Sequence, residues 1–243
     1  MRALRRVAVA ASLAALDGCA GLPRVGDAAR QAAREPLTWA PAAAALLLVA
    51  TDADRPLSEW ARRETPLFGS TEGARRASDQ LRSVAVGGWV AATLAAPAPA
   101  GEAFSTKLHD LALGYGALFA TGLATDAAKR STGRKRPDGS DALSFPSGHA
   151  SRAATAATLG MAQARRALAP GTARRAVDAA FMTSAFGTGW ARVEAGKHYP
   201  SDALVGFALG RFVGRAAELA WSRDDAPVAL AVGPAGLWLA VGF

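Results

Sequence analysis

Three polar segments, set in an otherwise apolar sequence, hold the residues whose types and spacing suit chemistry. The last of them runs Arg192-Val193-Glu194-Ala195-Gly196-Lys197-His198-Tyr199-Pro200-Ser201-Asp202. Pro200 keeps Tyr199 extended and suits the first position of a helix, which predicts His198 just outside that helix and Asp202 in its first turn. From there the carboxylate can fold back onto the imidazole. Such a pair fixes one tautomer: one ring nitrogen holds its proton toward Asp202, and the other presents a lone pair able to attack phosphorus. An acid in a first helical turn also complements the helix dipole, a role compatible with the catalytic one.

The middle segment, Ser144-Phe145-Pro146-Ser147-Gly148-His149, precedes a helix expected to open around Ala150, with Pro146 preset for its first turn. Unpaired backbone N–H groups gather at such an end, and with the Ser147 hydroxyl they can cradle phosphate oxygens. Gly148 allows close backbone approach, and His149 is poised beside the site. The same residues also suit a plain capped helix start with Ser144 as the cap. The first segment is a basic cluster from Lys129 to Arg136, followed by Pro137. A phosphate dianion needs a point charge and a planar fork, which Lys129 and Arg136 supply. Arg130, Arg134 and Lys135 suit equally a solvated helix end, where cations complement the dipole.

The composition around these segments narrows the class. The chain has 243 residues with 28 Lys and Arg against 20 Asp and Glu, a net charge of +8. The surplus is mostly Arg scattered along the sequence, which argues against nucleic acid as a partner and suits anionic headgroups and phosphorylated substrates. The single cysteine, Cys19, excludes an intrachain disulfide and a Cys-based metal site. Three arginines within Met1 to Arg6, then the apolar run Val7 to Leu16, have the layout of a secretory signal. Leu16-Asp17-Gly18-Cys19-Ala20 is similar to a bacterial lipobox, with Asp17 departing from the usual small or apolar residue. On this reading 1–18 is a signal peptide and Cys19 a lipidated first residue that tethers the protein to a membrane, facing the periplasm. Residues 19–35 read as a linker, 36–225 as the domain and 226–243 as a hairpin or tail.

The elements that must position the three segments are helices. Alanine dominates a 51% hydrophobic composition, aromatics make up 7%, and β-branched runs are few. Apolar stretches recur at Leu37 to Thr51, Ser83 to Ala100, Leu111 to Thr125, Ala153 to Ala164, Ala179 to Ala191 and Ala203 to Leu219. The fold class is therefore mainly α, a single bundle of about six helices. Most of these runs are shorter than the roughly 20 residues a spanning helix needs, and a mean hydropathy of +0.12 is low for a polytopic protein. Most of them read as buried core helices; Ser83 to Ala100, interrupted by Gly87, Gly88, Pro97 and Pro99, comes closest to a spanning length. Asp52 to Arg82 is a turn-rich connection with a short helix from Glu72 onward, and Val228 to Phe243 alternates around Pro234-Ala235-Gly236 as a short β-hairpin would.

Taken together, the segments resemble the three-part signature of the phosphatidic acid phosphatase type 2 and haloperoxidase superfamily. That signature is Lys, six residues, Arg-Pro; then Pro-Ser-Gly-His; then Ser-Arg, five residues, His, three residues, Asp. Lys129, Arg136 and Pro137, Pro146 to His149, and Arg192, His198 and Asp202 meet it in order and spacing, and Ala191 replaces the serine before Arg192. The resemblance implies that Lys129, Arg136, Ser147, Gly148 and Arg192 bind phosphate and that His198 forms a phosphohistidine. Asp202 would stabilise the imidazolium, and His149 would protonate the leaving oxygen. It implies no metal and no cofactor, and a phosphorylated, lipid-type substrate met at a membrane. Its soluble branch contains broad-specificity acid phosphatases, and another branch holds vanadate for haloperoxidation.

Overall fold

A computed structural model describes residues 24–221 and the backbone of two strands at 228–233 and 236–241. The expected signal peptide and Cys19 lie outside the described residues. Eight helices occur among those described: α1 (residues 24–34), α2 (Pro36–Ala50), α3 (Asp54–Glu64), α4 (Thr71–Ala95), α5 (Ala103–Thr132), α6 (Gly148–Ala167), α7 (Thr172–Glu194) and α8 (Pro200–Ala220). Strands β1 (Val228–Gly233) and β2 (Gly236–Val241) pair antiparallel, with Val228 opposite Val241 and Gly233 opposite Gly236.

The six expected apolar runs lie on α2 and α4 to α8, so the mainly α reading holds and the count rises from six to eight. The two additional helices are ones that a search for apolar runs passes over. Residues 24–34, expected as linker, are helical, and Glu35 after them binds Arg211 and Arg215 of α8 at 2.6 Å each. Helix α3 lies in the stretch expected to be a connection. Pro56 there falls in the first turn, where no backbone N–H is needed, and the amphipathic pattern buries Ser58 and Ala61 while Arg55, Arg62 and Arg63 face solvent.

Helix α6 is the central element and packs against α4, α5, α7 and α8. Most of its residues are Gly, Ala, Ser or Thr, and Ala153, Ala154, Ala156 and Ala157 are buried. Small side chains let neighbouring backbones approach closely, and α8 answers with Gly206, Gly210 and Gly214, one per turn. A Cβ at Gly210 would lie 2.0 Å from the Ser151 carbonyl oxygen, and one at Gly206 would lie 2.5 Å from that of Ser147. Larger side chains fill the remaining gaps: Trp89 sits over Gly114, and Phe181 over Gly160. Trp89, Phe181 and Phe207 join the alanines in one core.

Among the described residues no single helix is long and apolar enough to cross a bilayer; α2 and α3 pass that test only as a pair, bent by 98°. The exterior is nonetheless apolar in places. Leu46 and Leu47 of α2, and Phe104 and Phe119 of α5, are each about two-thirds or more exposed, at 72%, 66%, 69% and 68%.

Candidate active site

Four helix ends converge at one end of the bundle, where α5 and α7 finish and α6 and α8 begin. Gly133 ends α5 in a left-handed conformation at φ 55°, directing the chain into the loop that carries Arg134 and Arg136. Gly196 does the same after α7 at φ 68°, where the amides of Lys197 and His198 both turn back to the Arg192 carbonyl, at 3.0 and 3.3 Å. These turns deliver Lys129 and Arg192 from last helical turns and His198 from the loop. Ser147 caps α6, its hydroxyl accepting from the Ala150 amide at 3.4 Å, and its own amide donates to the Asp202 carbonyl at 2.9 Å. The cap is therefore Ser147 and not Ser144.

Ser144 has a different role. Its carbonyl accepts from Nδ1 of His198 at 2.6 Å, and its hydroxyl donates to Oδ2 of Asp202 at 2.5 Å. His198 lies outside α8 and Asp202 in its first turn, but Oδ2 stands 3.8 Å from Nδ1, an ion-pair contact beyond hydrogen-bond length. The expected direct bond from His198 to Asp202 is thus corrected. The backbone carbonyl of Ser144 fixes the tautomer, and the carboxylate supplies charge beside it. Nδ1 carries the proton in either case, so Nε2 bears the lone pair.

Asp202 is fully buried and heavily bonded. Besides Ser144, it accepts from the Tyr199 amide at 2.9 Å and from Arg134 at 2.6 Å. Burial pushes its carboxyl up, but the contacts with His198 and Ser144 and the Arg134 charge outweigh it and hold it below the usual range. Arg134, which suited a solvated helix end, instead bridges Asp202 to Asp54 of α3 at 2.7 Å and lies 4.1 Å over the Tyr199 ring. Asp54 in turn accepts from the amide and hydroxyl of Ser201, at 2.8 and 2.5 Å. A helix outside the three segments, α3, is thereby locked onto α8.

The cations gather opposite. Lys129 donates to the Leu143 carbonyl at 2.5 Å, and a Cβ at Gly148 would lie 3.9 Å from its Cε, so the lysine lies against the start of α6. Arg136 is held through Nε by Asp141 at 2.6 Å and donates to the Lys197 carbonyl at 3.1 Å. Arg192 is 8% exposed, its Nε has no hydrogen-bond partner among the described residues, and its Nη1 reaches only Ser78 Oγ at 3.5 Å. Burial, followed by the like charge of Arg136, lowers its pKa to about 10. Burial and Arg136 also lower that of Lys129. The three cations therefore share one field, which the positive end of the α6 dipole reinforces.

Both imidazoles sit in that field. Burial, with the Lys129 and Arg192 charges and against the pull of Asp202, brings His198 down to about 4. Burial and Arg192 bring His149 down to about 4, opposed by Asp79, whose Oδ1 lies 3.0 Å from Nε2 of His149. Asp79 of α4, which also contacts Arg82 at 3.5 Å, is the residue that sequence reasoning missed most. The nearest signal was a polar turn, Ser78-Asp79-Gln80, ahead of an apolar run. Glu194 was missed as well. Fully buried, it accepts from the Leu67 and Phe68 amides, both at 3.1 Å, and from Trp190 at 2.6 Å, tying the α3–α4 loop to α7.

His198, His149, Asp202, Lys129, Arg136, Ser147, Gly148 and Arg192 thus all meet at one end of the bundle. Among the described residues no group of three or more His, Cys, Asp or Glu side chains is placed to hold a metal ion. Cys19, expected to carry a lipid, lies outside the described residues.

Residues 111–224 match the family model described as the PAP2 superfamily. Over 89 residues the chain is 40% identical to a lipid A 1-phosphatase of Porphyromonas gingivalis, a match covering 37% of this chain and 19% of that relative's length. The fold matches the crystal structure of a transmembrane PAP2 type phosphatidylglycerolphosphate phosphatase from Bacillus subtilis with a TM-score of 0.57 and 22% identity, over 74% of this chain and 93% of that one.

Proposed function

We propose that this chain, which belongs to the PAP2 superfamily, is a phosphatase that hydrolyses phosphate monoesters or diphosphates of lipids through a phosphohistidine on His198. The observation that carries the reading is Arg192, a buried guanidinium without a carboxylate partner among the described residues, converging with Lys129 and Arg136 on two neutral imidazoles. Like charges held together in a buried place are offset by an anion, and a phosphate dianion has the charge and the oxygens to engage all three.

In the first step, Nε2 of His198 attacks phosphorus in line while the bond to the leaving oxygen breaks, and that oxygen takes a proton from His149. The cradle stabilises charge on the equatorial oxygens, and Asp202 stabilises the imidazolium as it forms. In the second step, water attacks the phosphohistidine and gives a proton to His149; the phosphorus–nitrogen bond breaks, releasing phosphate and restoring His198. Asp79 accepts from Nε2 of His149, so Nδ1 is the atom that exchanges this proton. The about-4 value of His149 suits a base. A bound dianion cancels part of the Arg192 field and raises that value, so substrate binding itself loads the proton that the first step needs.

Membrane association is supported by the apolar exteriors of α2 and α5. The soluble-substrate acid phosphatase is the second reading. A phosphate-release screen of the purified protein against phosphatidate, isoprenyl diphosphates, lipid A phosphates and soluble esters decides between them. Preference for the lipids supports the first reading. Equal turnover of soluble esters supports the second, and release from none of them refutes both.

A further inference from the structure

A second cationic cavity of about 830 Å³ adjoins the catalytic loop, on the side of α3. Arg55 and Arg62 of α3 line it together with Lys135, Arg136 and Tyr199, and Glu59 is a carboxylate among its lining residues. Arg55, Arg62 and Lys135 are exposed and form no ion pair with a carboxylate among the described residues. Ser58, 1% exposed, lines the same wall with a hydroxyl that has no hydrogen-bond partner among the described residues.

The cavity and the phosphate cradle share a wall. Arg136 belongs to both, held between Asp141 and the Lys197 carbonyl. The Arg62 stem lies against Gly196, where a Cβ would come within 2.7 Å of its Cδ, and Gly196 is two residues before His198. Tyr199, the residue after His198, lines the cavity too. A surplus of cations next to a site that already holds three is unfavourable unless a second anion joins the first.

Resting on the phosphatase reading above, we propose that this cavity binds a second phosphate group of the same substrate molecule, so that the preferred substrates are bisphosphorylated. The hydrolysed phosphate occupies the cradle of Lys129, Arg136 and Arg192. The second lies across Arg136 against Arg55, Arg62 and Lys135, with the Ser58 hydroxyl as a donor. These cations are exposed, so each contributes modestly, salt screens them, and together they amount to about a tenfold preference.

The test compares α,ω-alkanediol bisphosphates with alkyl monophosphates of matched chain length, using the full chain and an Arg55→Gln, Arg62→Gln, Lys135→Gln triple variant. The expected result is a kcat/KM about tenfold higher for the best bisphosphate, beyond the statistical factor of about two, carried by KM and peaked at one chain length. In the triple variant the preference disappears while monophosphate turnover stays as in the unsubstituted chain. Absence of a preference, or its survival in the triple variant, overturns the proposal. So does inorganic phosphate added with the monophosphate, if it reproduces the gain, because the occupant is then a separate anion. Binding of the same compounds to a His198→Gln protein reads the cavity without turnover. If that protein binds the bisphosphate about tenfold tighter, and the triple substitution removes the difference, the cavity reading holds even where the unsubstituted chain hydrolyses nothing and the phosphatase reading falls.

Discussion

The buried, neutral state of His198 has a consequence for stability that is separable from catalysis. Its pKa is lowered from 6.5 to about 4 in the folded protein, and the side chain is 2% exposed. Between those values the unfolded chain binds a proton that the folded chain refuses, so stability is fully present above pH 6.5 and is lost as pH falls toward 4. At 1.36 kcal/mol per unit, the shift amounts to about 3 kcal/mol. His149 adds a second contribution of the same sign, lessened because its side chain is 27% exposed. The carboxylates held low, Asp202 and Asp79 among them, act below about pH 4.5, outside most of this window. The measurement is denaturant unfolding at pH 7, 6, 5 and 4 in a buffer without phosphate, since phosphate would stabilise the folded state by mass action. His198→Gln should unfold more easily at pH 7 but lose about 3 kcal/mol less on going to pH 4. An unchanged pH slope in that variant would refute the claim that His198 is buried uncharged.

Other expectations follow from individual contacts. Asp79→Asn removes the charge that keeps His149 basic, so hydrolysis of alkyl phosphates should fall roughly tenfold or more while activated aryl phosphates, which need little protonation, change less; an equal loss on both would show that Asp79 acts otherwise. Arg134→Lys loses the fork that joins Asp54 to Asp202 and should cost about 2 kcal/mol in unfolding experiments, with kcat falling more than KM changes; unaltered stability and kcat contradict that bridge. Gly210→Ala drives a methyl into the Ser151 carbonyl and should destabilise by about 3 kcal/mol, whereas Gly87→Ala, with nothing within 4 Å, should stabilise by about 0.5–1 kcal/mol. A thermal melt of both variants checks the α6–α8 contact, and similar shifts in the two would deny it.

Much of the site was legible because its residues are local. Lys129 and Arg136 lie seven apart, Ser147 to His149 are adjacent, and His198 and Asp202 lie four apart across a proline-marked helix start, so short stretches of chain bring each set close. The residues that escaped are those whose partners are distant in sequence. Asp79 meets His149 across 70 positions, Asp54 meets Arg134 across 80, and Glu194 meets Leu67 across 127. No periodicity encodes such pairs, and a polar residue on a helix face looks the same whether it meets water or a buried imidazole. Ser144 escaped for a related reason: a serine two residues ahead of a proline reads as a cap until the fold shows what its carbonyl faces.

By itself the sequence determined the helical class, the helix start at Pro200, the presence of a second helix start close to Ala150, and the set of cations and imidazoles, because these depend on local sterics, spacing and charge. Only the tertiary structure decided which atom holds the His198 proton, that Arg134 is a bridge, that α1 and α3 pack as helices, and that a second cationic cavity adjoins the first. Each of these depends on which groups lose water together when the bundle closes, and burial of that kind exists only once distant segments have packed.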